Sequence, residues 1–168
     1  MRQDFERDWE ERVAALWARL DEHEPAQLRA RIEALAAELP AGDARALFER
    51  ACANDSTGRS DVAAPLYREA LAAGLTGIRR RRAVIQMASS LRNLGRADES
   101  VTLLRAERAA GSDELDDAVI AVLALALADT GREREAAGLA IGALARHLPR
   151  YNRSMARYAQ ALVEGHPK

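Results

Sequence analysis

The sequence predicts an all-α chain, a right-handed α-solenoid of antiparallel helix hairpins with about nine helices. Three observations lead there. A helical pattern is interrupted three times by a glycine-arginine pair, at Gly58-Arg59, Gly95-Arg96 and Gly131-Arg132, and the glycines stand 37 and 36 residues apart, a period expected of stacked helical hairpins. Of the 168 residues 48% are apolar but only 4% aromatic; Ala and Leu dominate and β-branched residues are few, which favours helices over strands. Within each segment the apolar residues recur at three- and four-residue steps, the spacing of one helix face.

The first stripe is Phe5, Trp9, Val13, Leu16 and Leu20, giving an amphipathic helix from about Arg2 to Leu20. Pro25 suits the first turn of a second helix, where its missing N–H has no intrahelical partner to lose, and the stripe Leu28, Ile32, Leu35 and Leu39 stops at Pro40 and Gly42. Residues 1–40 are therefore a helical hairpin. It lacks the glycine-arginine turn, so it is expected to be a degenerate repeat or an N-terminal cap. Trp9 and Trp17 are assigned to packing against the next hairpin.

Residues 43–149 divide into three repeats, 43–76, 77–112 and 113–149. Aligned on the turn glycines, Ala51, Ala88 and Ala124 fall seven residues before the turn, and Ala63, Ser100 and Ala136 five after it. Small side chains thus recur where two helices must approach closely. Leu47, Val84 and Ile120 precede the turn by eleven residues and Leu66, Leu103 and Leu139 follow it by eight, which gives each helix an apolar contact for its partner. After Pro149, Tyr151, Met155, Tyr158 and Leu162 predict a capping helix over 150–164, ended by Gly165 and Pro167.

A formal net charge of -1 supplies no general attraction to nucleic acid. Cys52 is the only cysteine, so neither an intrachain disulfide nor a cysteine zinc cluster nor a CxxC pair can form, as suits a reducing compartment. The charged N-terminal residues lack an apolar signal core and no window is apolar enough to cross a bilayer. A cytoplasmic protein with no membrane or nucleic-acid partner is expected. His23, His147 and His166 are scattered, and no nucleophile elbow, phosphate-cradling glycine loop or metal-ligand spacing is present. No enzyme, cofactor or metal is expected, and His147 is expected to interact with the carbonyls at a helix end.

The order of small residues around a turn glycine resembles the tetratricopeptide repeats, from Asp43 to Pro149. More particularly, Asp55-Ser56-Thr57-Gly58-Arg59, Ala64-Pro65-Leu66-Tyr67-Arg68-Glu69-Ala70-Leu71 and Ala88-Ser89-Ser90-Leu91-Arg92-Asn93-Leu94-Gly95-Arg96 are similar to the bacterial group-5 members. The period exceeds the usual 34, and Glu107 replaces the small residue matched by Ala70 and Ala143. The resemblance implies a concave groove, lined by the first helix of each repeat, that receives a peptide. Carried onto this chain, the groove takes Arg45, Phe48, Cys52, Asp55 and Ser56 from the first repeat, Arg82, Ile85, Gln86, Ser89, Arg92 and Asn93 from the second, and Ala121, Leu125 and Asp129 from the third. Arg92 can grip a carboxylate with two donors, and Gln86 and Asn93 can bond an extended backbone. Partner binding is thus expected at Arg82, Gln86, Ser89, Arg92, Asn93, Arg45, Phe48 and Asp129. The basic and Asn side chains of the chaperone-tail clamps in this superfamily have no match here, where Phe48, Cys52, Gln86, Ala118 and Val122 stand.

Arg79 to Arg82, and the acids Asp113, Glu114, Asp116 and Asp117, open the first helices of consecutive repeats. They are expected to form an ionic strip between repeats, with Arg82 and Asp116 as one pair; a site for an acidic partner is the other reading of the same arginines. The resulting expectation is a non-catalytic scaffold or adaptor for a peptide or protein. The alternative is a self-associating module that forms a homodimer through its Trp-bearing or Tyr-bearing terminal helix.

Overall fold

The structure, a computed structural model, describes residues 2–165. His166, Pro167 and Lys168 lie outside the described residues, and with them the expected stop at Pro167. Among the described residues the fold is all-α: nine α-helices follow one another and pack as adjacent pairs. None of them is long and apolar enough to cross a membrane. The chain divides into two compact units, residues 1–76 and 77–168.

The first unit holds α1 (Arg2–Trp17), α2 (Pro25–Ala36), α3 (Ala44–Asp55) and α4 (Ser60–Ala72). The first helix is shorter than its apolar stripe, because the chain tightens after Trp17 into a 3-10 turn at Leu20–Glu22. Pro25 occupies the first turn of α2, and Asp43 caps α3 by accepting from the amides of Arg45 at 2.8 Å and Ala46 at 3.4 Å. Trp9, Val13, Ala36, Leu39 and Ala46 form one buried cluster and Leu16, Leu28, Ile32 and Ala53 another, while Phe48 and Tyr67 are buried between α3 and α4. Both tryptophans are committed to this packing: the Trp9 indole donates to the Leu35 carbonyl at 2.8 Å and the Trp17 indole to the buried Glu49 carboxylate at 2.7 Å.

The second unit holds α5 (Gly77–Asn93), α6 (Ala97–Ala110), α7 (Asp116–Asp129), α8 (Glu133–Ala145) and α9 (Asn152–Glu164). Its core runs along the sequential pairs, with Ile85 and Ala88 of α5, Val101 and Leu104 of α6, Val119, Leu123 and Leu127 of α7, and Leu139 of α8.

The three glycine-arginine pairs make one and the same joint. Gly58, Gly95 and Gly131 have φ of 79°, 75° and 74°, the left-handed region that a β-carbon opposes. Each following arginine donates its backbone N–H five residues back, Arg59 to Asn54, Arg96 to Leu91 and Arg132 to Leu127, all at 2.9 Å. Each glycine donates three residues back at 3.0 to 3.1 Å. These are the paired bonds of a Schellman ending, which satisfies the last carbonyls of one helix while turning the chain into the next.

The small residues flanking these joints are all buried. Ser100 is the exception in chemistry: it is 0% exposed and its hydroxyl has no hydrogen-bond partner. Ala63 and Ala136 fill the equivalent positions without a polar atom. Ser100→Ala is therefore expected to raise stability by about 1 kcal/mol, by removing an unsatisfied buried hydroxyl. Urea unfolding checks this, and an unchanged or lower midpoint would contradict it.

Candidate functional site

In the second unit α5 opens on Gly77 to Arg80, which are exposed or half-buried, and from Arg81 onward it is buried except along one side. Arg82 and Asn93 are exposed and Gln86, Ser89 and Arg92 half-buried, whereas Arg81, Ala83, Val84, Met87, Ala88, Ser90 and Leu91 are buried. Steps of four, three and four residues join Arg82, Gln86, Ser89 and Asn93, so these side chains share one helix face. The next first helix, α7, packs beside α5. Its open positions include Ala121 and Leu125, the latter 51% exposed. A polar line and an apolar line thus lie on neighbouring helices.

The structure brings Arg92 and Asp129 together. Arg92 Nε stands 2.5 Å from Asp129 Oδ2, at ion-pair distance but without the alignment of a hydrogen bond. The two expected binding residues are thereby each other's counterions across the repeat boundary, and a ligand carboxylate would compete with Asp129 for Arg92.

The two expected residues of the first unit behave differently. Phe48 is 0% exposed, its ring 6.1 Å from that of Tyr67, so it is a core residue and not part of an open face. Cys52 is buried as well, and so, in the core of the second unit, is Ile85. An apolar residue on the inner side of α3 suits a groove lining, but packing against α4 claims it first. Arg45 is held at its own helix start by Asp43, at 3.1 Å, and lies 5.6 Å from the Trp9 ring centroid.

The ionic strip is present with different partners. Arg81, only 6% exposed, places Nη2 2.6 Å from Asp116 Oδ1 and Nε 3.1 Å from Asp113 Oδ1, and its Nη1 donates to the Gly111 carbonyl at 3.1 Å. The expected Arg82–Asp116 pair is thus replaced by Arg81–Asp116. One residue is a turn of about 100° on a helix, which carries Arg82 round to the open line. Glu107 explains its own departure from the repeat pattern: 4% exposed, it accepts from Arg80 through both oxygens at 2.5 and 2.6 Å. The sequence showed the anomaly at Glu107 without showing that it is the buried acid for the arginine run. His147, expected at helix-end carbonyls, instead meets Asp117 Oδ2 through its Nε2 at 2.8 Å, and Arg146 joins the same carboxylate.

Among the described residues no three His, Cys, Asp or Glu side chains are grouped so as to hold a metal ion.

Hairpins packed in sequence, three of them closed by the same glycine joint, define a helical-repeat protein. The model of the family described as tetratrico peptide repeat matches residues 44–162, and the chain belongs to that family. Its repeats are generally protein-interaction modules and are typically non-catalytic. No curated protein and no solved structure matches the chain.

Proposed function

We propose that the chain is a non-catalytic scaffold that binds a peptide or protein partner, and that the open line of α5 with the neighbouring line of α7 is where it does so. The observation that carries this reading is the exposure pattern of α5, which from Arg81 to its end is buried except for Arg82, Gln86, Ser89, Arg92 and Asn93. Gln86 and Asn93 offer amide donors and acceptors to an extended backbone, and Leu125 offers apolar contact on the adjacent helix. A rigid face of this kind binds with little ordering of the receptor itself. Asp129 gives the site selectivity, since only a carboxylate able to displace it gains Arg92.

Photo-crosslinking tests the assignment. With benzoylphenylalanine in place of Ser89, the full chain is expected to capture a partner protein from source-cell lysate; the same probe at Thr102, exposed on α6, is the control. Adding Gln86→Ala and Leu125→Glu is expected to reduce the Ser89 adduct by about tenfold with the circular dichroism unchanged. Equal capture from both positions, or capture unaffected by the two substitutions, would show that partners bind elsewhere.

Self-association is the second reading, and α9 supports it. Tyr158 and Val163 are exposed on it and Tyr151 just before it, with the Arg157 guanidinium 5.4 Å from the Tyr158 ring centroid. The Trp-bearing helix does not contribute, because Trp9 and Trp17 are used inside the first unit. Light scattering separates the readings: a dimer abolished by Tyr158→Glu favours self-association, and a monomer at high concentration removes it.

A further inference from the structure

The first unit contains a cleft of 650 Å³ between α2, α3 and the start of α4. Ile32, Val62 and Leu66 give it apolar lining, while Arg29, Arg50 and Arg59 bring three guanidinium groups against a single carboxylate, Glu33. The charges do not balance, and the reason can be traced residue by residue.

Glu33 follows Arg29 by four residues on α2, a spacing at which the two would ordinarily pair. Arg50 from α3 takes both oxygens instead, Nε to Oε2 at 2.8 Å and Nη2 to Oε1 at 2.6 Å. The Arg29 side chain is left with no ion pair or hydrogen bond among the described residues. Arg59 is in the same condition for another reason. It is the arginine of the first glycine-arginine joint, and its equivalents are neutralised by a glutamate three residues on. Arg96 reaches Glu99 at 2.6 and 2.7 Å, and Arg132 reaches Glu135 at 2.5 Å. The third residue after Arg59 is Val62, which lines the cleft. Where two repeats supply an acid, the first supplies an apolar wall.

We propose that this cleft is a binding site for a carboxylate carried on a short apolar stem, with Arg29 and Arg59 taking the carboxylate and Ile32, Val62 and Leu66 the stem. A guanidinium fork suits a carboxylate geometrically, and a site bordered by apolar surface strengthens the charge pairing. Such a group has two sources, a free organic acid or the C-terminal end of a peptide. The site lies wholly in the first unit and does not depend on the α5 and α7 face.

Calorimetric titration of the full chain at low salt tests the proposal with five probes: hexanoate, hexanamide, a short peptide ending in a free leucine carboxylate, the same peptide amidated, and inorganic phosphate. Saturable binding of hexanoate or of the peptide acid, with at least about tenfold weaker binding of the matching amide, is the expected result. Hexanoate binding as tightly as the peptide acid marks the free acid as sufficient; the peptide acid alone binding marks a peptide end. Val62→Glu restores the glutamate of the other two joints and removes no cation, and it is expected to weaken binding by about tenfold or more. Arg29→Gln with Arg59→Gln is expected to do the same. Absence of saturable carboxylate binding, equal binding of the amides, phosphate binding as tightly as the carboxylates, or full binding by a folded Val62→Glu chain would each overturn the proposal.

Discussion

Arg81→Ala is expected to destabilise the second unit by about 1.5–3 kcal/mol, the range for losing charge-assisted hydrogen bonds, because the acids it leaves are partly exposed. Arg81 is buried and serves Asp113, Asp116 and the Gly111 carbonyl at once. Its Nε also lies 3.9 Å from Glu107 Oε1, so its loss leaves Asp113 and Asp116 without this guanidinium and Glu107 with Arg80 alone. Urea unfolding followed by far-ultraviolet circular dichroism measures the cost. Arg82→Ala, one residue away on the open line, is expected to cost less than about 1 kcal/mol. Equal effects of the two substitutions would refute the assignment. The pH dependence adds a check. Asp116 is held below its ordinary carboxylate range, first by the Ser112 hydroxyl, then by the Asp113 amide, and less by Arg81. Its contribution is therefore present above the unfolded value of about 4 and is lost as pH falls through the depressed folded value. Because Ser112 dominates, the Arg81→Ala chain is expected to retain most of this acid sensitivity.

Gly138→Ala is expected to destabilise the packing of α9 by about 1–3 kcal/mol, the cost of overpacking a close contact. In an ordinary helix interior the same change stabilises by about 1 kcal/mol, so the sign itself is the test. An added β-carbon would stand 2.8 Å from the Ala159 carbonyl oxygen, 2.7 Å from Val163 Cγ2 and 3.0 Å from Leu162 Cβ. The first of these is backbone and gives way only if α9 moves. Gly142→Ala is the control, since its nearest neighbour, Ala159 Cβ, would be at 3.7 Å, an ordinary contact. That substitution is expected to be neutral or to stabilise by up to about 1 kcal/mol. Hydrogen exchange across α9 should accelerate in the Gly138 variant alone.

These two positions show where sequence reading stops. The joints were legible because a left-handed turn leaves a chemical mark, a glycine, and because the mark repeats. The sequential all-α packing followed from that repetition. Helix phase at a terminus leaves no such mark: four consecutive arginines at Arg79 to Arg82 look alike, and their rotation about the axis selects Arg81 for burial. Phe48 was ambiguous because an apolar residue on a first helix suits a groove and a core equally. Gly138 reads in one dimension as a weak point in a helix, and its purpose appears only when α9 is laid against it. Val62 was visible all along as a departure from Glu99 and Glu135, but it had no meaning until the Arg59 side chain was seen to lack a partner.

The adjacency of successive helices has a consequence in time. In each unit every well-packed pair is next or next but one in the chain, and the three joints close through bonds spanning at most five residues. Contacts of such short sequence separation require little loop closure before they form, which places folding of these hairpins among the fast, local processes of microseconds to milliseconds. Within the second unit α9 rests chiefly on α8. It is expected to be the last helix to dock on refolding and the first to leave under denaturant.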